Sequence, residues 1–402
     1  MQLNNLQRHV AICGFSPVKC SNDGCNMMVN KRDKVHHETE VCDFRRVKCH
    51  DCAELKKEVT EMKDQVAAQT HQMEEKMTKG ITSLMDEIKN LKEEVNGIKK
   101  TVQEPHPHSR GDIIIAGGDD EHVDNLNSVE MFSWLTKSWV PLDPMKEKRS
   151  EPCSVMYENQ MIVTGGGQDD DGGTYSMEKI DVHDEAGKWK DFPAELPVKS
   201  YAHKAVSYKD RLIVIGGYDC TGGEHISNAI YEVLLVSPYC NKLLARLPKP
   251  VCGHGVVLVG DRIFIVGGET AKGFVDSVVM FDISKKNCKL MAPLPFAIRD
   301  CATVIWGNNV FVIGGMNRDA EVLNSVIMYD VTMETCKRLP PMKYCRWACT
   351  AVITVIVVMG GLDVEGECLG SVECFSLDRQ VWEELPHMIK RRAYATAVAK
   401  TT

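Results

Sequence analysis

IIIAGG (113–118), MIVTGG (161–166), LIVIGG (212–217), IFIVGG (263–268), VFVIGG (310–315) and VIVVMGG (355–361) are six versions of one phrase. Each is a short aliphatic run that stops at a glycine doublet. The doublets end at residues 118, 166, 217, 268, 315 and 361, so successive copies lie 48, 51, 51, 47 and 46 residues apart. A period of this size marks a repeat architecture whose units bury one another's faces. The aliphatic run predicts a strand buried on both sides. The doublet predicts a tight turn or a close backbone approach, which glycine permits because it has no Cβ.

About 14 residues past each doublet a second strand carries an aromatic residue, and a bulky residue follows seven positions later: Phe132/Trp139, Phe281/Cys288, Tyr329/Cys336 and Phe375/Trp382. Trp189 fits with Val182 in the aromatic position, and the third unit, YEVLLVSPYCNKL (231–243), has lost the pattern. A proline-containing turn and another strand lead to the next doublet. That makes four short strands per unit. A four-stranded sheet cannot bury both faces alone, so the units must pack side by side around an axis. Doublet, aromatic and Trp at these spacings resemble the kelch repeat over residues 111–402, which implies a mainly β, six-bladed propeller. Cys288 and Cys336, where kelch has Trp, and the worn third unit depart from that pattern. The last residues, Arg392-Ala-Tyr-Ala-Thr-Ala-Val398, parallel Arg346-Trp-Ala-Cys-Thr-Ala-Val352. The final strand is therefore expected to complete the first blade and remove the open edges.

Ahead of the repeats the composition changes. Six of the 17 cysteines crowd into residues 13–52. Cys20-x4-Cys25-x11-His37-x4-Cys42 supplies one tetrahedral set of zinc ligands. A segment this short needs metal to supply its folding energy. With PVKCSNDGC around it, the spacing resembles the TRAF-type zinc finger, and it favours His37 over His36. His9-x3-Cys13 and Cys49-x2-Cys52 are two half-sites. Either these four residues pair around a second zinc, or the chain is shortened at its start. Residues 1–52 do not offer the interleaved ligand order of a RING, which often precedes such fingers.

Residues 54–103 contain no Cys or Pro and carry heptad spacing at Ile81, Leu84, Ile88, Leu91, Val95, Ile98 and Val102. A self-associating coiled coil is expected there. EPHPHSR (104–110) breaks the helix, because each Pro disfavours α geometry in the residue before it. The expected organisation is therefore a zinc-finger region (1–53), a coiled coil (54–103), a linker (104–110) and the propeller (111–402).

The 402 residues carry a formal charge of −8, which argues against a nucleic-acid or acidic-membrane binder. The start is polar, and Ala351–Met359 falls far short of the ~20 residues of a membrane helix. A cytoplasmic protein with reduced thiols is expected. Cys301 and Cys349 read as buried packing residues; Cys220 and Cys368 fall in turns and read as candidates for exposure.

The loops that precede the opening strands and those that follow the doublets should form one rim. The first set carries Arg149, Ser150, Tyr201, Arg299, Arg346, Arg392 and Tyr394; the second carries Asp119–Glu121, Asp169–Asp171, Asp219, Glu269 and Asp363. The kelch resemblance implies Arg, Ser and Tyr gripping an acidic peptide, since the planar guanidinium takes carboxylates bidentately. The acids beside them are the competing partners. No nucleotide loop, Ser/His/Asp arrangement or convergent redox set is seen on this rim. The expectation is a zinc-binding, self-associating recognition adaptor, with the propeller holding a target for ubiquitin ligation. The alternative is a cytoskeletal or signalling scaffold that cross-links partners without ubiquitin transfer.

Overall fold

The computed structural model describes residues 17–19, 28–34, 36, 50–101, 111–122, 125–168, 172–184, 187–353 and 355–400, with helix side chains over 57–89. The chain divides into two compact units, Met1–Gln103 and Glu104–Thr402.

In the first unit, Pro17–Lys19 pairs antiparallel with Met28–Asn30, and a 3-10 turn, Lys31–Asp33, follows. One helix runs from His50 to Thr101. At 1.5 Å per residue it is about 78 Å long. Met73, Met77, Ile81, Leu84 and Ile88 stand exposed along it. The candidate zinc ligands Cys20, Cys25, His37, Cys42, His9, Cys13 and Cys49 lie outside the described residues, and only the backbone of Cys52 is described, within the helix.

The second unit is built from six four-stranded antiparallel sheets. Every aliphatic run before a doublet is the second strand of its blade: Ile113–Ala116, Gln160–Thr164, Arg211–Ile215, Arg262–Val266, Asn309–Ile313 and Ile356–Met359. These strands are the most buried, because both faces meet a neighbouring blade. Six apolar clusters fill the spaces between blades. The seven-residue spacing places Phe132 opposite Trp139, Phe281 opposite Cys288, Tyr329 opposite Cys336 and Phe375 opposite Trp382 on adjacent strands. In the third blade, Tyr231 pairs with Leu243 across a register shift. The last strand, Thr396–Ala399, pairs with Ile113–Ala116, so the first blade is made from both ends of the propeller sequence.

The doublets also join the blades. The second glycine of each donates its N–H to the next opening segment. The pairs are Gly118 to Arg149 O at 2.8 Å, Gly166 to Ser200 O at 2.9 Å and Gly217 to Val251 O at 2.9 Å. The ring continues with Gly268 to Ile298 O at 2.7 Å, Gly315 to Arg346 O at 2.8 Å and Gly361 to Arg392 O at 2.9 Å. Gly118 has φ +90°, and a Cβ there would lie 2.9 Å from Ala395 N, so this approach requires glycine.

Candidate functional site: the doublet face of the propeller

Each blade opens with the same three-residue step. Its first residue is Arg149, Ser200, Val251, Ile298, Arg346 or Arg392. Three of the arginines expected on the rim are therefore not surface groups. Arg149, Arg346 and Arg392 are wholly buried, at 0% exposure. Arg149 donates from Nη1 to Gly165 O (2.6 Å) and from Nη2 to Glu178 Oε1 (2.9 Å) and Ser176 Oγ (2.6 Å). Arg346 makes the equivalent contacts with Gly360 O (2.7 Å), Glu373 Oε1 (2.7 Å) and Ser371 Oγ (3.0 Å). Arg392 does so with Gly117 O (3.0 Å), Glu130 Oε1 (2.5 Å) and Ser128 Oγ (3.2 Å). Their terminal guanidinium nitrogens tie the doublet to the third strand of the blade. The sequence signal was available: Ser-x-Glu at 128–130, 176–178 and 371–373 occurs in the same three blades as the arginines.

The second residues, Ser150, Tyr201, Cys252, Arg299 and Trp347, face the loops after the doublets; all but buried Cys252 are partly exposed, and Ala393, their counterpart in the first blade, is buried. Ser150 donates to Asp119 Oδ2 at 2.7 Å. Tyr201 stacks on Tyr218, with centroids 4.7 Å apart, and Trp347 meets the edge of Tyr394 at 5.7 Å. Arg299 pairs with Glu269 at 2.5 Å and with Asp300 at 3.4 Å, between the rings of Phe274 and Trp347. Of the expected rim residues, then, Ser150, Tyr201, Arg299 and Tyr394 reach the surface together.

Of the third residues only Tyr394 was expected on the rim from the sequence. Glu151, Ala202, Gly253, Asp300, Ala348 and Tyr394 all have φ near +50°. This turn aims their N–H groups around the axis. Glu151 N donates to Tyr394 O (3.2 Å), Ala202 N to Glu151 O (3.1 Å) and Asp300 N to Gly253 O (2.8 Å). Ala348 N donates to Asp300 O (2.8 Å) and Tyr394 N to Ala348 O (2.9 Å). The girdle frames an axial cavity of about 40 Å³ lined by Glu151, Asp300, Lys204, Tyr394 and small residues. Lys204 is the single charged residue at its position of the innermost strands, where the other blades have Cys153, Gly255, Ala302, Thr350 and Thr396. Their shared signal is positional, two residues past the arginine position of each unit.

Burial pushes the Glu151 carboxyl up to about 8, and the nearby Asp300 carboxylate adds to this while Lys204 and Arg299 oppose it. Burial likewise raises Asp300 to about 6 against the pull of Arg299 and Lys204. His203 and His254 are held down to about 3 by burial, so they pack as neutral imidazoles. The Cys301 thiol is raised to about 12 and Cys368 to about 11, both by burial. Cys368, read as a candidate for exposure, is in fact buried, whereas Cys220 is partly exposed. Neither Cys301 nor Cys368 forms a reactive thiolate at neutral pH. Among the described residues, no group of three His, Cys, Asp or Glu side chains is placed to hold a metal ion.

The rim's acids are unevenly used. Glu121 and Asp120 pair with Arg391 and Lys390. Glu224, Asp319, Glu365 and Glu367 stand exposed around the same face. Asp169, Asp170 and Asp171 lie outside the described residues.

Among known proteins, residues 153–344 and 202–401 match the KLHDC2/KLHL20/DRC7 Kelch-repeats domain, and residues 107–146 match the Kelch motif. Kelch-like protein 35 of Mus musculus is 25% identical over 176 residues, 43% of this chain and 28% of that protein. Kelch-like protein 36 of Mus musculus is 25% identical over 179 residues, again 43% and 28%. The chain thus spans little more than a quarter of these curated relatives. The solved structure of YjhT superposes with a TM-score of 0.55 at 13% identity, covering 63% of this chain and 88% of that one, which speaks for a shared fold. No helix among the described residues is long and apolar enough to cross a membrane. Six doublet-stitched blades, closed by the last strand and matched along most of their length by this domain, establish that the chain belongs to the kelch-repeat family.

Proposed function

We propose that this protein is a cytoplasmic recognition adaptor whose propeller holds a target polypeptide on the doublet face. The observation that carries this reading is the group of partly exposed aromatic residues, Tyr201, Tyr218, Trp347 and Tyr394, around the axial cavity. Such rings supply contact area at low conformational cost, and here they sit on loops fixed by a rigid ring of blades.

The other parts extend the reading. Cys20, Cys25, His37 and Cys42 hold a structural Zn2+ in a TRAF-type finger, with His9, Cys13, Cys49 and Cys52 as the second candidate set. The exposed seam on His50–Thr101 pairs with other copies, so that several propellers engage one target and raise its effective concentration. The match to Kelch-like proteins 35 and 36 supports the kelch part of this reading, and a role in presenting targets to the ubiquitin system is what the kelch resemblance implies. The test is ubiquitin transfer to a bound target, reconstituted with the full chain and purified activating and conjugating enzymes, with and without a separate ligase. Transfer that requires the full chain and fails with Tyr201→Ala/Tyr394→Ala supports the reading. Binding without any transfer favours the scaffold.

A further inference from the structure

The charge of the polypeptide can be read from the same face; this step rests on the reading that the face binds a polypeptide. The arginines that would grip an acidic peptide are sealed inside the blades. The surviving one, Arg299, is occupied: Glu269 holds it at 2.5 Å, and Phe274 and Trp347 flank it at 4.7 and 5.5 Å. The face therefore already stabilises one guanidinium with carboxylates and aromatic rings, the surroundings that suit a cation.

A second such place sets two carboxylates against one lysine. Glu151 and Asp300 line the axial cavity, Lys204 lines the same cavity, and Asp300 also meets Arg299 at 3.4 Å. Among the described residues the Glu151 carboxylate has no hydrogen-bond or ion-pair partner. Its main-chain N–H is fixed by Tyr394 O, which holds the Glu151 backbone in the girdle. The charged groups facing Glu151 are Asp300, Asp119, Lys204 and Arg299, and Arg299 is already neutralised by Glu269. The balance around the carboxylate is negative. At about 40 Å³ the cavity admits the head of a side chain rather than a loop.

We infer that the partner is a basic segment that inserts a Lys or Arg side chain into the axial cavity between Glu151 and Asp300, with its flanking residues on Tyr201 and Tyr394. This is opposite in sign to the acidic ligand that the kelch resemblance implies. Because burial holds the Glu151 proton up to about 8, an entering cation displaces that proton. Binding should tighten by about tenfold from about pH 6.5 to about pH 8.

The test is selection of a random peptide display library on the full chain at about pH 8. Fluorescence polarisation of the winning peptide then follows against wild type, Tyr201→Ala/Tyr394→Ala and Glu151→Gln/Asp300→Asn. Enrichment of Lys and Arg, with at least tenfold weaker binding to the Glu151/Asp300 variant and the stated pH trend, supports the inference. Acidic or neutral winners that need Tyr201 and Tyr394 overturn it and leave the face assignment standing. Basic winners indifferent to Glu151 and Asp300 also overturn it. Winners indifferent to the two tyrosines as well, or no enrichment, overturn the face assignment with it. If the carboxylate pair fails to fold, Glu151→Gln alone gives the same comparison.

Discussion

Arg149 Nη2 lies 2.9 Å from Glu178 Oε1, with the two side chains at 0% and 1% exposure. The carboxylate also accepts the main-chain N–H groups of Lys146 and Glu147. Glu373 does the same for Lys343 and Tyr344, and Glu130 for Ile389 and Lys390. In the other three blades the arginine position is Ser200, Val251 or Ile298, and the residue in place of Lys146, Lys343 or Ile389 is Pro197, Pro248 or Pro295. Proline has no N–H to satisfy. The buried acid is therefore present where the loop offers both donors and absent where proline removes the first. The arginine follows the acid, since a buried carboxylate requires a cation.

Removing one partner leaves an uncompensated buried charge. Arg346→Ala should lower stability by about 3–5 kcal/mol. Arg299→Ala should cost less, roughly 1–3 kcal/mol, because Arg299 and Glu269 are each 27% exposed. Replacing the whole set by that of the fifth blade, Lys343→Pro with Arg346→Ile and Glu373→Ile, should recover most of the loss. Urea unfolding of the four proteins checks this. Equal midpoints for the Arg346 and Arg299 variants would contradict the assignment of Arg346 to the interior.

The same comparison shows what could be read from sequence. The doublet phrase is strictly local, so strand, turn and blade number were all legible, as was ring closure from the likeness of 392–398 to 346–352. Arg149, Arg346 and Arg392 were misplaced because an arginine before a strand looks alike whether its partner is a ligand or a glutamate 27 to 29 residues downstream or far upstream. Glu151 and Asp300 were missed because axial position is a property of the closed ring. Nothing local marks a residue as facing the axis.

The Glu151 carboxyl predicts a pH dependence of stability. Its folded pKa is about 8, above the ordinary value of 4.5, so the fold binds a proton that the unfolded chain releases. Its contribution is fully present below about 4.5 and is lost as pH rises toward 8. Glu151→Gln keeps the neutral form at all pH. The variant should melt higher than wild type near pH 8 and close to it near pH 5. A difference that is constant with pH, followed by calorimetry, would remove Glu151 from the buried titrating groups.

Ring closure predicts a global effect from a short deletion. Truncation before Lys390 removes Arg392, the strand Thr396–Ala399 and the acceptor of the Gly361 N–H. The second strand of the first blade would lose its inner partner and expose an edge at the axis. The melting temperature should fall by about 10 °C or more, with loss of a single cooperative transition. A truncated protein that melts as wild type would show that the first blade closes without its last strand.

The helix offers the most direct check on self-association. Ile81, Leu84 and Ile88 are 53, 59 and 51% exposed, at intervals of three and four residues, which is the spacing of a coiled-coil seam. Water gains nothing from such a stripe, and burial against other copies would recover roughly 1.5–3 kcal/mol for each residue fully covered. Substituting all three with Gln keeps helix propensity while removing the apolar seam. Light scattering should then move from an oligomer to the monomer mass, and the melting of the propeller should stay unchanged, since none of the three belongs to the Glu104–Thr402 unit. A wild-type chain that is already monomeric at micromolar concentration would end the multivalent reading, leaving each propeller to hold its target with a single grip.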